Sequence, residues 1–198
     1  MRSRTMMLAV VLGLVSLPYT ASTQETDKPA AKPAAPEGAP PLPQPGPEHA
    51  VLTHDVGSWD ATVEMMMGPP DAPPTVSKGV ENNTLVGGLW LVTDFKSTMM
   101  DQPFQGHGIA GWDPNKKKYV SNWVDSMSTG INIGESTYDA ATKTMTGWIE
   151  GPDMTGKISK MRAVTQYKDP DTRVFTMYMT GPDGKEVQTM KITYTRRK

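Results

Sequence analysis

The sequence predicts an all-β fold, an antiparallel up-and-down β-barrel of about ten strands with one short N-terminal helix. Three observations predict it. Beyond Gly57, apolar and polar residues alternate with a period of two, as in Trp59-Asp60-Ala61-Thr62-Val63-Glu64-Met65. Turn chemistry interrupts the alternation at short intervals, at Asp113-Pro114-Asn115, Asp139-Ala140-Ala141-Thr142, Asp169-Pro170-Asp171 and Gly181-Pro182-Asp183-Gly184. No helical segment separates the extended runs, so sequence neighbours should pair antiparallel, and closing the sheet removes the edges an open one would leave. A two-sheet sandwich is the structural alternative.

Two segments of different composition precede the domain. Arg2 and Arg4 stand before an almost wholly apolar run at residues 6–17, and the small residues Thr20, Ala21 and Ser22 follow. That is the layout of a secretory signal over residues 1–22, with cleavage after Ser22, and it predicts a periplasmic or secreted protein. The run is about a dozen residues, short of the about 20 a helix needs to cross the hydrocarbon core, so removal is expected rather than a permanent anchor. The chain has no cysteine, which excludes a lipid-modified cysteine, disulfides, iron–sulfur clusters, thiolate zinc sites and cysteine nucleophiles. A domain of about 150 residues buries enough surface to manage without disulfides. Residues 23–47 are rich in Pro, Ala, Gly and Gln without periodicity, which predicts a disordered, extended linker. The close spacing of Pro40, Pro41, Pro43, Pro45 and Pro47 keeps a proline-rich recognition tail as the alternative.

The domain is expected over residues 48–198. Pro47 suits the first turn of a helix, Glu48 its positive end, and Gly57 a left-handed close, which predicts one short helix between them. Strands are then expected at 59–65, 76–85, 90–98, 104–112, 118–124, 127–138, 144–150, 157–167, 173–180 and 186–195.

Several stretches resemble a bacterial family, the domain of unknown function 1579. They are Pro45-Gly46-Pro47-Glu48-His49, Gly57-Ser58-Trp59, Gly87-Gly88-Leu89-Trp90, Gly106-His107-Gly108-Ile109-Ala110-Gly111-Trp112-Asp113 and, above all, Lys117-Lys118-Tyr119-Val120-Ser121-Asn122-Trp123-Val124-Asp125-Ser126-Met127-Ser128-Thr129-Gly130. The chain departs from the family pattern at Trp112, where Tyr is common, and at His107, where Arg is common. The resemblance covers the chain from about residue 45 onward and implies a lipocalin-like (calycin-like) barrel, without implying an activity. Gly57-Ser58-Trp59 also resembles the Gly-x-Trp motif of lipocalin-like first strands, in which the tryptophan closes the barrel floor and an arginine of the last strand covers its ring. Alternation puts Met190, Ile192, Tyr194 and Arg196 on one apolar face, so the structural closure is expected between Trp59 and Arg196, with Arg197 pointing outward.

A barrel of this class can hold one small, mainly apolar molecule, so the leading reading is an exported, non-enzymatic binder or carrier of a hydrophobic ligand. Trp90 and Val92 share a face with Asp94, Tyr119 and Trp123 share one with Asp125, and Ile131 and Ile133 share one with Glu135. If those faces point inward, Trp90, Tyr119 and Trp123 line the pocket and Asp94, Asp125 and Glu135 orient the ligand. If not, the carboxylates sit at strand ends in water. The methionines suit either an adaptable cavity wall or an ordinary core.

Two other readings stand beside it. An enzyme, or a metal or haem protein, would have to use His54 or His107, because the only other histidine, His49, is five residues from His54 and off the four-residue spacing of a helical metal pair. No serine motif or metal spacing accompanies them, and no cofactor is expected. The glycines at 106, 108 and 111 precede a turn and another strand rather than a helix, which removes a nucleotide-binding fingerprint. The third reading is a module that meets an envelope protein through its outer wall or linker. Acidic and basic residues nearly balance at a net charge of −1, and the basic runs are short, so no nucleic-acid partner is expected.

Overall fold

The structure, a computed structural model, describes residues 40–69, 72–152, 156–181 and 183–198. The expected leader (1–22) and positions 23–39 of the expected linker lie outside the described residues. A 3-10 helix, Pro47–His54, is followed by strands β1 (Gly57–Met65), β2 (Thr75–Val86), β3 (Trp90–Met99), β4 (Gln102–Asp113), β5 (Lys118–Asp125), β6 (Asn132–Asp139), β7 (Thr144–Pro152), β8 (Ile158–Asp169), β9 (Thr172–Thr180) and β10 (Glu186–Arg196). Each pairs antiparallel with its sequence neighbour, and β1 pairs with β10, so the sheet is a closed ten-strand barrel. Residues 42–198 form one compact unit. The Pro45 ring packs on Gly88, where a Cβ would come within 2.8 Å of it, so packed chain starts ahead of residue 48.

The helix begins where proline fixes φ and lacks the donor that a first turn leaves unused. The Gly46 N–H donates to His49 Nδ1 at 3.0 Å, which fixes the entry into the turn. Leu52 is buried on the underside of the helix against Leu91 and Tyr119, and the Tyr119 hydroxyl donates to the Glu48 carbonyl at 2.8 Å. The helix thereby caps one end of the barrel. The chain leaves it through Gly57 at φ +112, where a Cβ would sit 3.0 Å from Arg196 Nη1, so glycine is required both by the backbone and by the arginine.

Strand β6 starts at Asn132, five residues later than the expected run from 127. The Asp125 carboxylate accepts the Met127 N–H and the Ser128 hydroxyl accepts the Gly130 N–H, which turns this segment instead of extending it. Gly134 and Gly147 occupy inner positions where a Cβ would crowd the backbone of the neighbouring strand. Their lack of a side chain lets neighbouring strands approach closely there.

Candidate functional site in the barrel lumen

Register and burial define the inner wall. Trp59, Ala61 and Val63 of β1, Leu91 and Phe95 of β3, Phe104 of β4, and Ile192 and Tyr194 of β10 are buried inner residues. They fall into two apolar clusters. One, around Trp59, Phe95, Phe104 and Tyr194, runs along the β1, β3, β4 and β10 wall, and the other, around Leu52, Leu91 and Tyr119, sits under the helix.

Across β4 to β8 six inner positions are small, set among larger inner residues such as Tyr119, Ile149 and Met161. Ala110 pairs with Ser121 and Ser121 with Gly134 on one rung, and Ser136 pairs with Gly147 and Gly147 with Ala163 on the next. Ser121 is exposed and Ala110, Ser136, Gly147 and Ala163 are half-buried, although all five point inward. Ser121, inward yet exposed, borders space that its neighbours leave open. Nearer the mouth, the end away from the helix, a cavity of about 100 Å³ is lined by Val63, Phe95, Met99, Phe104, Trp123 and Met190, among others.

Of the residues the sequence singled out, Tyr119, Trp123 and Asp125 lie on the inner face of β5. The Trp123 indole covers Gly106 and Gly108 and meets Phe95 at 6.4 Å between ring centres. Its Nε1–H donates to Asp125 Oδ2 at 3.1 Å. Asp125 is therefore a rim carboxylate that orients the indole.

Trp90, Asp94 and Glu135 are placed differently from expectation. Leu91 and Phe95 set the inner phase of β3, which turns Trp90 (41% exposed) and Asp94 to the outer wall. Gly134 is the buried inner residue of β6, so Glu135 and Ile133 face out. Both faces of these strands carry apolar residues, and alternation alone cannot choose between them. Asp94 pairs across the strands with His107, their side chains 2.5 Å apart and both exposed. Lys116 and Lys118 donate to the two Glu135 oxygens at 2.7 and 2.9 Å and hold its carboxyl down at about 2, the hydrogen bonds outweighing desolvation. His54 packs edge-on against Tyr167 at the floor. Among the described residues no group of three or more His, Cys, Asp or Glu is placed to hold a metal ion, and no helix is long and apolar enough to cross a membrane.

The floor holds a buried charge cluster that the sequence reading missed. Arg173, 6% exposed, lies 4.8 Å from the Trp59 ring centre and 3.9 Å from that of Tyr194. Its Nη2 donates to Glu81, and its Nε is 2.9 Å from Asp55 Oδ1, an ion pair off the hydrogen-bond axis. Asn83 Nδ2 donates to Glu81 Oε1 at 2.6 Å and to the Asp55 carbonyl at 2.9 Å, and the Tyr167 hydroxyl donates to Asp55 Oδ2 at 2.8 Å. Burial pushes Asp55 up, against the pull of Arg173 and Tyr167. Burial opposes the charge of Arg173 too, but the two carboxylates more than offset it and hold the guanidinium charged. The available signal was an arginine in the inward phase of Phe175, Met177 and Met179.

A closed antiparallel meander with a helix-capped, tryptophan-centred floor is a lipocalin-like, calycin-type β-barrel. The chain belongs to the family described as protein of unknown function DUF1579, whose pattern matches residues 44–196. No protein of curated function matches it. Among solved structures it is similar to Rv2717c from M. tuberculosis, at 12% identity over 77% of this chain and 99% of that one, with a TM-score of 0.57. It is also similar to the S-type phycobiliprotein lyase CPES from Guillardia theta, at 12% identity over 76% of this chain and 93% of the other, with a TM-score of 0.50. At these identities the likeness is one of fold.

Proposed function

We propose that the lumen binds one small, mainly apolar molecule and that the protein is an exported binder or carrier, not an enzyme. The observation that carries this reading is the patch of six small inner residues, Ala110, Ser121, Gly134, Ser136, Gly147 and Ala163, within which Ser121 stays exposed although it points inward. Space walled mainly by apolar groups with a few hydroxyls suits a ligand that is apolar along its body and polar at one point. Ser121 and Ser136 supply that point, in place of the carboxylates the sequence suggested, while Tyr119, the strand partner of Ser136, and Trp123 flank it on β5. None of the histidines takes part: His49 is tied to Gly46, His54 packs at the floor and His107 is on the outer wall.

Native mass spectrometry of the protein purified from its own cell envelope tests the reading, with retained apolar mass as the expected result. Ser121→Phe and Ala163→Phe should each weaken binding of a fluorescent fatty-acid probe at least tenfold while the melting temperature holds. A chain that carries no ligand and binds no probe overturns it. Export rests on the leader at residues 1–22. Fractionation of cells carrying residues 1–25 fused to a reporter tests the leader, and reporter left in the cytoplasm removes that part of the proposal.

A second reading, an interaction module, is favoured by the outer wall of β3 to β6. Trp90, Ile109, Val124 and Ile133 are all exposed there and close in register. Recovery of a stoichiometric envelope protein with the wild type, lost with Ile109→Lys, would support it over the lumen reading.

A further inference from the structure

The inner wall at the mouth carries methionine on three adjacent strands. Met65 of β1 pairs with Met190 of β10, and Met190 pairs with Met177 of β9. Met65 continues the inward phase of Val63, Met190 that of Ile192, and Met177 that of Phe175. A fourth methionine, Met99 of β3, lines the same cavity as Met190, together with the Phe95, Phe104 and Trp123 rings.

Strands favour β-branched residues at such positions, and unbranched methionine at three successive partners departs from that preference. Cross-strand partners have Cβ atoms about 4.5–5.5 Å apart, within which flexible thioether chains can converge on one point. The cavity that Met99 and Met190 line, about 100 Å³, is well below the roughly 300–1,000 Å³ of a pocket for a drug-sized ligand and is ample for a single ion. Neutral thioethers are soft ligands that select Cu(I)-like cations and leave Zn(II) and Mg(II) to harder donors. Aromatic faces around the cavity add attraction for a cation.

We propose that Met65, Met99, Met177 and Met190 form a thioether site for one soft monovalent cation, Cu(I) or its redox-inert analogue Ag(I), at the mouth of the barrel. This site is independent of the lumen reading and draws on no titrating group, so its occupancy should not change between pH 5 and 8.

Silver nitrate titrated into the full chain in chloride-free buffer, read by native mass spectrometry and tryptophan fluorescence, tests it. One tightly bound ion per chain is expected, with quenching that disappears in Trp123→Phe while the bound silver remains. Met190→Leu and Met99→Leu keep the apolar volume and so the fold. Each should weaken silver binding at least tenfold without moving the melting temperature, whereas the exposed pair Met67→Leu and Met100→Leu should leave it unchanged. Absence of bound silver, or binding as tight in Met190→Leu as in the wild type, overturns the proposal.

Discussion

The Arg196 guanidinium lies 4.1 Å from the centre of the Trp59 indole ring, and the two residues are direct cross-strand partners at the seam where β10 meets β1. Trp59 is 1% exposed, and its Nε1–H donates to the Asp55 carbonyl at 2.8 Å. Arg196 also donates to the carbonyls of Val56 at 2.6 Å, His54 at 3.0 Å and Pro170 at 3.0 Å. One side chain thus ties together the strand that opens the barrel, the strand that closes it, the helix exit and the β8–β9 turn.

Replacing Arg196 with Ala should therefore lower unfolding stability by roughly 2–3 kcal/mol, from a cation–π contact and several charge-assisted hydrogen bonds on a partly exposed group. Lys should recover less than half, since an ammonium cannot span three carbonyls with a planar fork. Urea unfolding followed by Trp fluorescence measures both variants.

Arg173→Met should cost more, about 3–5 kcal/mol, because it leaves Asp55 and Glu81 buried without their cation. Neutralising the carboxylates as well, with Asp55→Asn and Glu81→Gln, should return much of that loss. Denaturation midpoints of the single and triple variants decide the matter, and equal destabilisation of the two would contradict it.

The Glu135 pair gives a pH dependence of known sign. Lys116 and Lys118 hold its folded pKa at about 2, below the unfolded value of 4.5. Its stabilisation is fully present above 4.5 and is lost as pH falls from there towards 2. Glu135→Gln should lower the melting temperature at pH 7, and the difference from wild type should vanish near pH 2 and shrink in high salt.

Gly106→Ala tests the rim. A Cβ at Gly106 would overlap the Trp123 indole, which must then swing away and release Asp125. Overpacking of this kind costs about 1–3 kcal/mol. Near-ultraviolet circular dichroism should show the displaced indole, and an unchanged spectrum with unchanged stability would count against the packing described.

Strand number, turns and the closing seam follow from local patterns. Period-two alternation, Asp-Pro and Gly-rich turns and the absence of helical spacing specify ten short strands, because steric preference and burial of one face act over a few residues. Alternation along Met190, Ile192 and Tyr194 likewise directs Arg196 inward and Arg197 outward, where it pairs with Asp60 at 2.9 Å. Tertiary structure alone decided which face of β3 and β6 is inner, since Trp90 competes with Leu91, and Ile133 with Gly134, for the same wall. The small-residue patch is also non-local: six small residues on five strands come together only when closure aligns their rungs. Arg173 finds Glu81 across 92 positions of sequence, a pairing that no local period encodes, because it is set by where the barrel brings β2 and β9 together beneath Trp59.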